Sequence, residues 1–203
     1  MGSKPPLGSP SLPRSFYLRP AAQVARDLLG KTLIHKTCSA RIVETEAYLG
    51  LEDRAAHAWR GITPRTKVLF GPPGHAYVYL IYGIYECLNI VAEPEGSAGC
   101  VLIRAVEPLT GIAQMRRNRP RVHREQDLAN GPGKLTLALG ITRQHNGVDV
   151  TRGPLRVETP RHVVDFSIGV SARIGITHCT DWPLRFYVED SPFVSGQGKR
   201  MLP

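Results

Sequence analysis

Short apolar runs, each ended by glycine or proline, constrain the fold of this chain more than any other feature of its sequence. Gly30 ends a helical pattern, Gly83 interrupts the tyrosine-rich run 75–93, and Pro108 ends the run 99–108. The chain carries 20 glycines and 17 prolines in 203 residues. This frequency favours many turns and short elements over a bundle of long helices.

The order of these runs predicts an α+β fold. Strand patterns lie over 32–35, 41–49, 75–93 (two strands with a break at Gly83) and 99–108, and shorter ones over 153–158, 172–176 and 184–188. Helical patterns lie over 20–29, 109–119 and 128–141. Strands and helices do not alternate in the rhythm that a parallel sheet requires. We therefore expect one mixed domain, residues 15–203, around a curved, largely antiparallel β-sheet with flanking helices.

The ends of the chain and its cysteines indicate the compartment. Residues 1–14 are rich in proline, serine and glycine and are expected to be a disordered segment. The N-terminus lacks a secretory signal, and no apolar stretch is long enough to span a membrane. The four cysteines lie far apart without a C-x-x-C pair, unlike a zinc framework or a disulfide-rich secreted scaffold. We expect a cytoplasmic protein without a membrane partner.

The charge of the chain points to a polyanionic partner. The formal net charge is +9 and the isoelectric point is near 9.7. Clustered lysine and arginine side chains displace counterions from phosphates, so nucleic acid is a candidate partner. A generally basic surface that maintains solubility explains the same charge equally well at this point.

The segment RIVETEAYLG, residues 41–50, places two acids inside a strand pattern. Alternate residues of a strand share a face, so Glu44, Glu46 and Tyr48 point the same way. If that face meets solvent, the two acids need no further explanation. If it meets a cleft, one glutamate becomes a candidate general base.

Four of the seven tyrosines, Tyr77, Tyr79, Tyr82 and Tyr85, lie within nine residues. Tyr77 and Tyr79 share a strand face, whereas Tyr82 and Tyr85 flank the break at Gly83. Because aromatic residues favour strands, this cluster could simply pack on the core. Alternatively, flat rings stack on nucleobases, and a tyrosine at a turn can wedge into a base stack.

Three further polar residues each have a structural and a functional explanation. Asn89 lies in an apolar strand and requires hydrogen-bond partners, either loop backbone or the edge of a ligand. Arg104, also in an apolar strand, could pair with Glu44 or Glu107, or bind a phosphate. His57 lies in a loop without a metal-binding signature around it, so a surface position and a site position both remain open.

A basic chain with an aromatic platform, a carboxylate, a buried amide and a turn-borne tyrosine has the parts of a base-flipping enzyme. The segments RIVETEAYLG, TPRT, FGPPGHAYVYLIYG, CLN, VLIRAVEPL, NGPGKL, RGPL, ARIGI and PLRFYVEDSPFVS resemble those of the alkyladenine (3-methyladenine) DNA glycosylase family. The resemblance covers about residues 15–195 in the order and spacing of that family, and is nearest to its shorter, bacterial-type members.

The resemblance implies a catalytic group. Glu46 matches the general base that activates the attacking water, and Glu44 then has a supporting or structural role. Arg104, together with a backbone carbonyl at Ile174, matches the groups that hold that water. No metal and no cofactor are expected.

The resemblance also implies a pocket for the flipped base. Tyr48, His57 and Tyr79 match its walls, and the main chain of His57 matches a contact to the base edge. Asn89 matches the amide that disfavours guanine. Tyr82 matches the wedge that fills the vacated stack in DNA.

The expected activity is that of a monofunctional DNA glycosylase in base excision repair, acting as a monomer on double-stranded DNA with damaged purines and associated with the bacterial nucleoid. It would release alkylated or deaminated purines and leave an abasic site. Strand cleavage is not expected, because no matched position supplies an amine nucleophile. A base-flipping damage-binding module without catalysis, and a phosphodiester hydrolase, are the alternatives. A metal cluster would favour the hydrolase.

Two departures from the family pattern bear on damage preference. Thr136 and Leu137 stand where many relatives carry Cys-Gln, in a helix that we expect to lie away from the pocket. Leu51 stands where a proline is common.

Overall fold

A computed structural model of the protein describes residues 10–160 and 164–196. Its strands are β1 (Thr32–His35), β2 (Cys38–Tyr48), β3 (Ala76–Ile81), β4 (Tyr85–Val91), β5 (Cys100–Thr110), β6 (Leu155–Glu158), β7 (Ile168–Ser171) and β8 (Arg185–Val188). Its α-helices are α1 (Arg14–Tyr17), α2 (Ala21–Leu28), α3 (Ile112–Asn118) and α4 (Pro132–Leu139).

The strands form one eight-stranded antiparallel sheet. Its main path runs β3–β4–β5–β2–β1–β6, and β8 pairs with both β2 and β7. The ladder between β2 and β5 is irregular at Ser39/Ala40 and on both sides of Glu44. Such irregularities bend a strand and increase its twist, which curves the sheet. The predicted α+β class with a largely antiparallel sheet is confirmed.

The strand β2 lies at the centre of the sheet and carries both acids of the RIVETEAYLG segment. Along one edge it pairs with β5, and along the other with β1 through Cys38–Arg41 and then with β8 through Glu44–Glu46. The two acids are therefore enclosed by neighbouring strands on both sides. Both are fully buried.

The first long helix covers one face of this central strand. In α2 the residues Ala21, Val24, Ala25 and Leu28 are buried, which is the i, i+3, i+4, i+7 spacing of an amphipathic helix. The Thr45 hydroxyl on β2 donates a 2.8 Å hydrogen bond to the Ala25 carbonyl. The predicted helix over 20–29 is thus confirmed to within one residue at each end.

The N-terminal segment is ordered closer to its start than its composition predicts. Ser11 forms a bridge with Glu158, and the Leu12 amide donates a 2.8 Å hydrogen bond to the Val157 carbonyl. Leu12 is buried in the core, which offsets the entropy of ordering this proline-rich chain. The expectation of disorder is therefore wrong for residues 11–14, while residues 1–9 lie outside the described ranges.

The polar stretch 50–74 is not a free loop but a chain of turns that packs on β3 and β4. It contains the 3-10 helices Gly50–Glu52, His57–Arg60 and Lys67–Phe70. Ala58 and Leu69 from this stretch share a small buried cluster with Tyr77 and Val91. None of the helices in the described part of the chain is long and apolar enough to cross a membrane.

Candidate active site

A cleft of about 700 Å³ lies between the 50–74 stretch, the β3–β4 hairpin, the start of α4 and the loop after β7. Seven of the eight residues singled out from the sequence line it: Tyr48, His57, Tyr79, Tyr82, Asn89, Arg104 and Ile174. The eighth, Glu46, is 0 % exposed and lies behind the wall of the cleft. The structure therefore brings the predicted set together around one space.

Three groups of the cleft wall hold the Glu46 carboxylate. The Ile174 amide donates a 2.7 Å hydrogen bond to Oε1, and the Tyr48 hydroxyl donates a 3.1 Å hydrogen bond to Oε2. Arg104 Nη1 lies 3.2 Å from Oε2. Burial raises the pKa of Glu46 above its usual range, against the opposing effects of the Arg104 charge and these hydrogen bonds. A buried carboxylate with a raised pKa is a stronger base than an exposed one.

The second acid, Glu44, is more completely satisfied. Its oxygens accept hydrogen bonds from Arg104 Nε at 2.9 Å, Arg185 Nε at 2.7 Å, the Ser195 amide at 2.6 Å and the Ser195 hydroxyl at 2.8 Å. Two guanidinium groups thus share one carboxylate in the interior. This arrangement suits a structural ion cluster, because every charge in it has an opposite partner.

The sequence left three possible partners for Arg104: Glu44, Glu107 and a phosphate. In the structure its guanidinium lies between Glu44 and Glu46 and contacts both. Glu107 is instead paired with Arg41. As predicted from the strand period, Glu44 and Glu46 share a face, and Arg104 is the group that links them.

The aromatic wall is formed by the 3-10 helix His57–Arg60 and by β3. The His57 and Tyr79 rings lie edge to face with centroids 4.5 Å apart, and Tyr77 lies 5.3 Å from Tyr79. Nδ1 of His57 is 3.0 Å from the Tyr77 hydroxyl. Burial, with a smaller effect of the Arg65 charge, lowers the pKa of His57 to about 4. The imidazole is therefore neutral at pH 7.

Asn89 and Tyr82 occupy opposite extremes of exposure. Asn89 is buried in β4, opposite Tyr77, and its amide nitrogen donates a 3.2 Å hydrogen bond to the Tyr77 carbonyl. The sequence offered a backbone hydrogen bond and a position in the site as alternatives for Asn89. The structure shows both, because Asn89 also lines the cleft. Tyr82 is 81 % exposed at the tip of the β3–β4 hairpin, with φ of 54°, followed by Gly83 with φ of 72°.

The sequence profile of the methylpurine-DNA glycosylase family (MPG) matches residues 15–192. A protein of Methanocella arvoryzae is 50% identical over 194 residues, covering 92% of this chain and 96% of its own. Proteins of Alkaliphilus oremlandii and Rhodopseudomonas palustris are 46% and 47% identical, covering 91% and 96% of this chain and 98% and 92% of their own. All three bear the provisional name 3-methyladenine DNA glycosylase.

The chain belongs to the methylpurine-DNA glycosylase family.

One ion pair next to the site was not predicted from the sequence. Arg173 and Asp53 form a bidentate pair that is wholly buried, with Nη2 2.9 Å from Oδ1. Arg173 also donates to the Ala47 carbonyl at 3.0 Å, and its guanidinium lies 4.7 Å from the centre of the Tyr48 ring. The sequence does contain a signal for this pair, because Arg173 lies inside the apolar run ARIGI just as Arg104 lies inside VLIRAV.

The strand predicted over 172–176 is wrong, because that segment is a loop that follows β7. Its alternating apolar pattern resembles a strand, but Arg173 is directed to Asp53 and the Ile174 amide to Glu46. In this family member the segment therefore holds site residues instead of extending the sheet. The strand β7, at Ile168–Ser171, was not predicted.

The helix α4 lies nearer to the cleft than expected. Leu137 lines the cleft, together with Gly131 to Lys134 at the start of the helix. The expectation that the departure at Thr136 and Leu137 lies away from the pocket is therefore wrong for Leu137. The Thr136 hydroxyl is directed instead to the Glu86 carbonyl, at 2.9 Å, and ties α4 to β4. No group of three metal-ligating side chains occurs within residues 10–160 and 164–196.

Proposed function

We propose that this protein is a DNA glycosylase that flips alkylated purines out of duplex DNA and hydrolyses the N-glycosidic bond with a water activated by Glu46. Membership of the methylpurine-DNA glycosylase family supports the reaction class. The single observation that carries the mechanism is the position of Glu46. Its carboxylate is buried directly behind the cleft, and all three groups that bond it line the cleft.

Burial makes Glu46 a suitable base for this reaction. The N-glycosidic bond breaks by way of a transition state in which the sugar resembles an oxocarbenium ion. A carboxylate on the face of the sugar opposite the leaving base can orient and deprotonate the attacking water. The Arg104 charge opposes the rise in the pKa of Glu46 that burial causes, and so favours the ionised carboxylate. We assign Ile174 and Arg104 to the placement of Glu46 and of the water.

The charge of the leaving base decides whether it must be protonated by an acid before it leaves. A methylated purine such as 3-methyladenine or 7-methylguanine already carries a positive charge and leaves without protonation. Hypoxanthine and ethenoadenine are neutral and need a proton. His57, whose pKa is about 4, is neutral at pH 7 and does not supply it. We therefore propose cationic alkylpurines as the preferred substrates.

The pocket for the base is assigned to the aromatic wall. Tyr48, His57 and Tyr79 would enclose the flipped purine, and Asn89 would oppose the exocyclic amine of normal guanine. The DNA is double-stranded and the protein acts on it as a monomer.

The decisive experiment is incubation of the protein with methylated duplex DNA in EDTA. Release of free methylpurine without strand cleavage, lost in Glu46→Gln, is the expected result. Retention of the methylpurine by wild-type protein that still binds the duplex would favour a damage-binding module. Excision rates for 3-methyladenine, 7-methylguanine, hypoxanthine and ethenoadenine then establish the order of preference.

Strand cleavage deserves a matched control, because one amine lies at the cleft. Lys134 lines it, and its Nζ donates a 2.7 Å hydrogen bond to the Asn130 side-chain oxygen. An amine nucleophile must be free to attack the sugar, and Lys134 is engaged. We expect no Schiff base to be trapped by borohydride. A trapped adduct that disappears in Lys134→Ala would show a lyase step.

A further inference from the structure

Three arginines of the 50–74 stretch are held against aromatic rings. The guanidinium groups of Arg54 and Arg60 lie 5.5 and 5.3 Å from the ring centre of Trp59, and that of Arg65 lies 5.1 Å from the ring centre of Tyr79. Within residues 10–160 and 164–196, none of the three forms a salt bridge. Their charges are thus available to a partner.

The backbone under Arg54 and Trp59 is fixed, although both side chains are exposed. The buried Asp53 carboxylate accepts hydrogen bonds from the amides of Leu49 and Ala55, at 3.2 and 3.0 Å. The Trp59 amide donates to the Ala56 carbonyl at 3.2 Å. A charged side chain on fixed backbone loses less entropy on binding than one on a mobile loop.

The indole of Trp59 restricts the two arginines further. A guanidinium over an indole face is attracted by the ring quadrupole but keeps its N–H edge free for hydrogen bonds. Two such groups on one ring, which is itself 37 % exposed, present a pair of planar donors to the solvent. Planar guanidinium donors fit the oxygens of phosphodiesters, which they bind in bidentate fashion.

The position of this pair relates it to the cleft. Arg54 lines the cleft, whereas Trp59 and Arg60 are not among its lining residues. His57 of the aromatic wall belongs to the same 3-10 helix as Trp59 and Arg60. A backbone phosphate bound here would lie one short helix away from the flipped base.

We infer that Trp59, Arg54 and Arg60 form a phosphate clamp that binds the backbone of duplex DNA next to the flipped nucleotide, with Trp59 as the platform that orders both guanidinium groups. The inference rests on the proposed function for the identity of the DNA. Each arginine binds one phosphate. The clamp fixes the register of the strand and carries no sequence information.

The test is the binding of an undamaged, fluorescently labelled duplex at a series of salt concentrations. Each neutralised phosphate contributes about 0.9 to the slope of log K against log salt concentration. Arg54→Ala and Arg60→Ala are therefore each expected to lower the slope by about 1. Arg152→Ala is the matched control, because Arg152 is exposed, pairs with Asp149 and is not among the lining residues of the cleft. It should leave the slope unchanged.

Trp59→Leu distinguishes a platform from mere charge. It keeps both arginines, so the salt slope should stay near the wild-type value while the affinity falls several-fold at every salt concentration. Trp59→Phe, which keeps a ring, should restore most of the affinity. Thermal melts verify that each variant is folded.

Two results would overturn the inference. Wild-type salt slopes in Arg54→Ala and Arg60→Ala would show that these arginines do not bind phosphates. Wild-type affinity in Trp59→Leu would show that Trp59 does not act as a platform. Because this assay needs no excision, its failure is distinct from failure of the proposed function. Failure of the proposed function would appear instead as retention of the methylpurine by wild-type protein that still binds the duplex.

Discussion

The main-chain amide of Ile174 donates a 2.7 Å hydrogen bond to Oε1 of Glu46, across a separation of 128 residues in the sequence. The carboxylate is therefore oriented by a loop and not only by its own strand. That loop is held in turn by the neighbouring Arg173, whose guanidinium is buried against Asp53. The placement of the proposed base thus depends on an ion pair that does not contact it.

Removal of that ion pair should affect both stability and excision. Arg173→Ala leaves the Asp53 carboxylate buried without its partner, which costs about 3–5 kcal/mol in comparable cases. We expect a lower denaturation midpoint in urea with an unchanged slope, and slower excision in the protein that remains folded. Arg156→Ala, which removes a more exposed pair with Glu158, should cost at most about 1 kcal/mol. Equal losses in the two variants would contradict the role given to Arg173.

The two glutamates of β2 should separate chemistry from structure. Glu46→Gln keeps the shape of the side chain and removes the base, so excision should fall by about 10²–10⁴-fold while affinity for damaged duplex is nearly retained. Glu44→Gln leaves Arg104 and Arg185 with an uncharged partner and should lower the free energy of unfolding by about 3 kcal/mol. Single-turnover excision and urea denaturation measure the two effects. An inactive Glu44→Gln beside an active Glu46→Gln would reverse our assignment.

Local sequence pattern was sufficient for the two strands that carry the acids and the aromatic wall, β2 and β3. The period of two correctly placed Glu44 with Glu46, which both contact Arg104, and Tyr77 with Tyr79 on common faces. Gly83 correctly marked the hairpin, where φ of 72° suits glycine. In each case the information lies within a few residues, so a single sequence contains it.

Long-range partners could not be read in the same way. The alternation in ARIGI predicts a strand, but Arg173 instead pairs with Asp53, 120 residues away, and this contact decides the conformation of the segment. Likewise, the apolar pattern of α4 predicts a helix but does not reveal that the Leu137 side chain lines the cleft. Such choices depend on tertiary packing, which local periodicity does not contain.

The pH dependence of excision should report the environment of Glu46. Burial raises the pKa of this carboxyl, and only the ionised form is a base, so the rate for a cationic lesion should rise with pH through a pKa above the usual range of glutamate and then level off. The Tyr48 hydroxyl donates to the ionised form and opposes the raised pKa. Tyr48→Phe should therefore move the acidic limb to still higher pH. Single-turnover rates for 7-methylguanine between about pH 4 and 9 provide the measurement. A limb at or below the ordinary glutamate pKa would exclude Glu46 as the titrating base.

The hairpin tip offers a test of base flipping that separates two exposed apolar side chains. Tyr82 is 81 % exposed and Ile84 is 67 % exposed, on either side of Gly83. A ring that projects from a turn can fill the gap left by an extruded nucleotide and offset part of the unstacking cost, which is a few kcal/mol. Because Tyr82 buries little surface in the protein, Tyr82→Ser should melt within about 1 °C of wild type, since substitutions at exposed sites rarely change stability much.

Tyr82→Ser should nevertheless lose most of the fluorescence change that accompanies extrusion of ethenoadenine in stopped-flow mixing. Ile84→Ser is the matched control on the same hairpin and should retain that change. Tyr79→Ser, in the pocket wall, should permit extrusion but weaken the bound state of the flipped base. If Ile84→Ser loses the signal and Tyr82→Ser keeps it, the wedge is Ile84. If Tyr82→Ser melts far lower and flips normally, the ring of Tyr82 serves the fold and not the DNA.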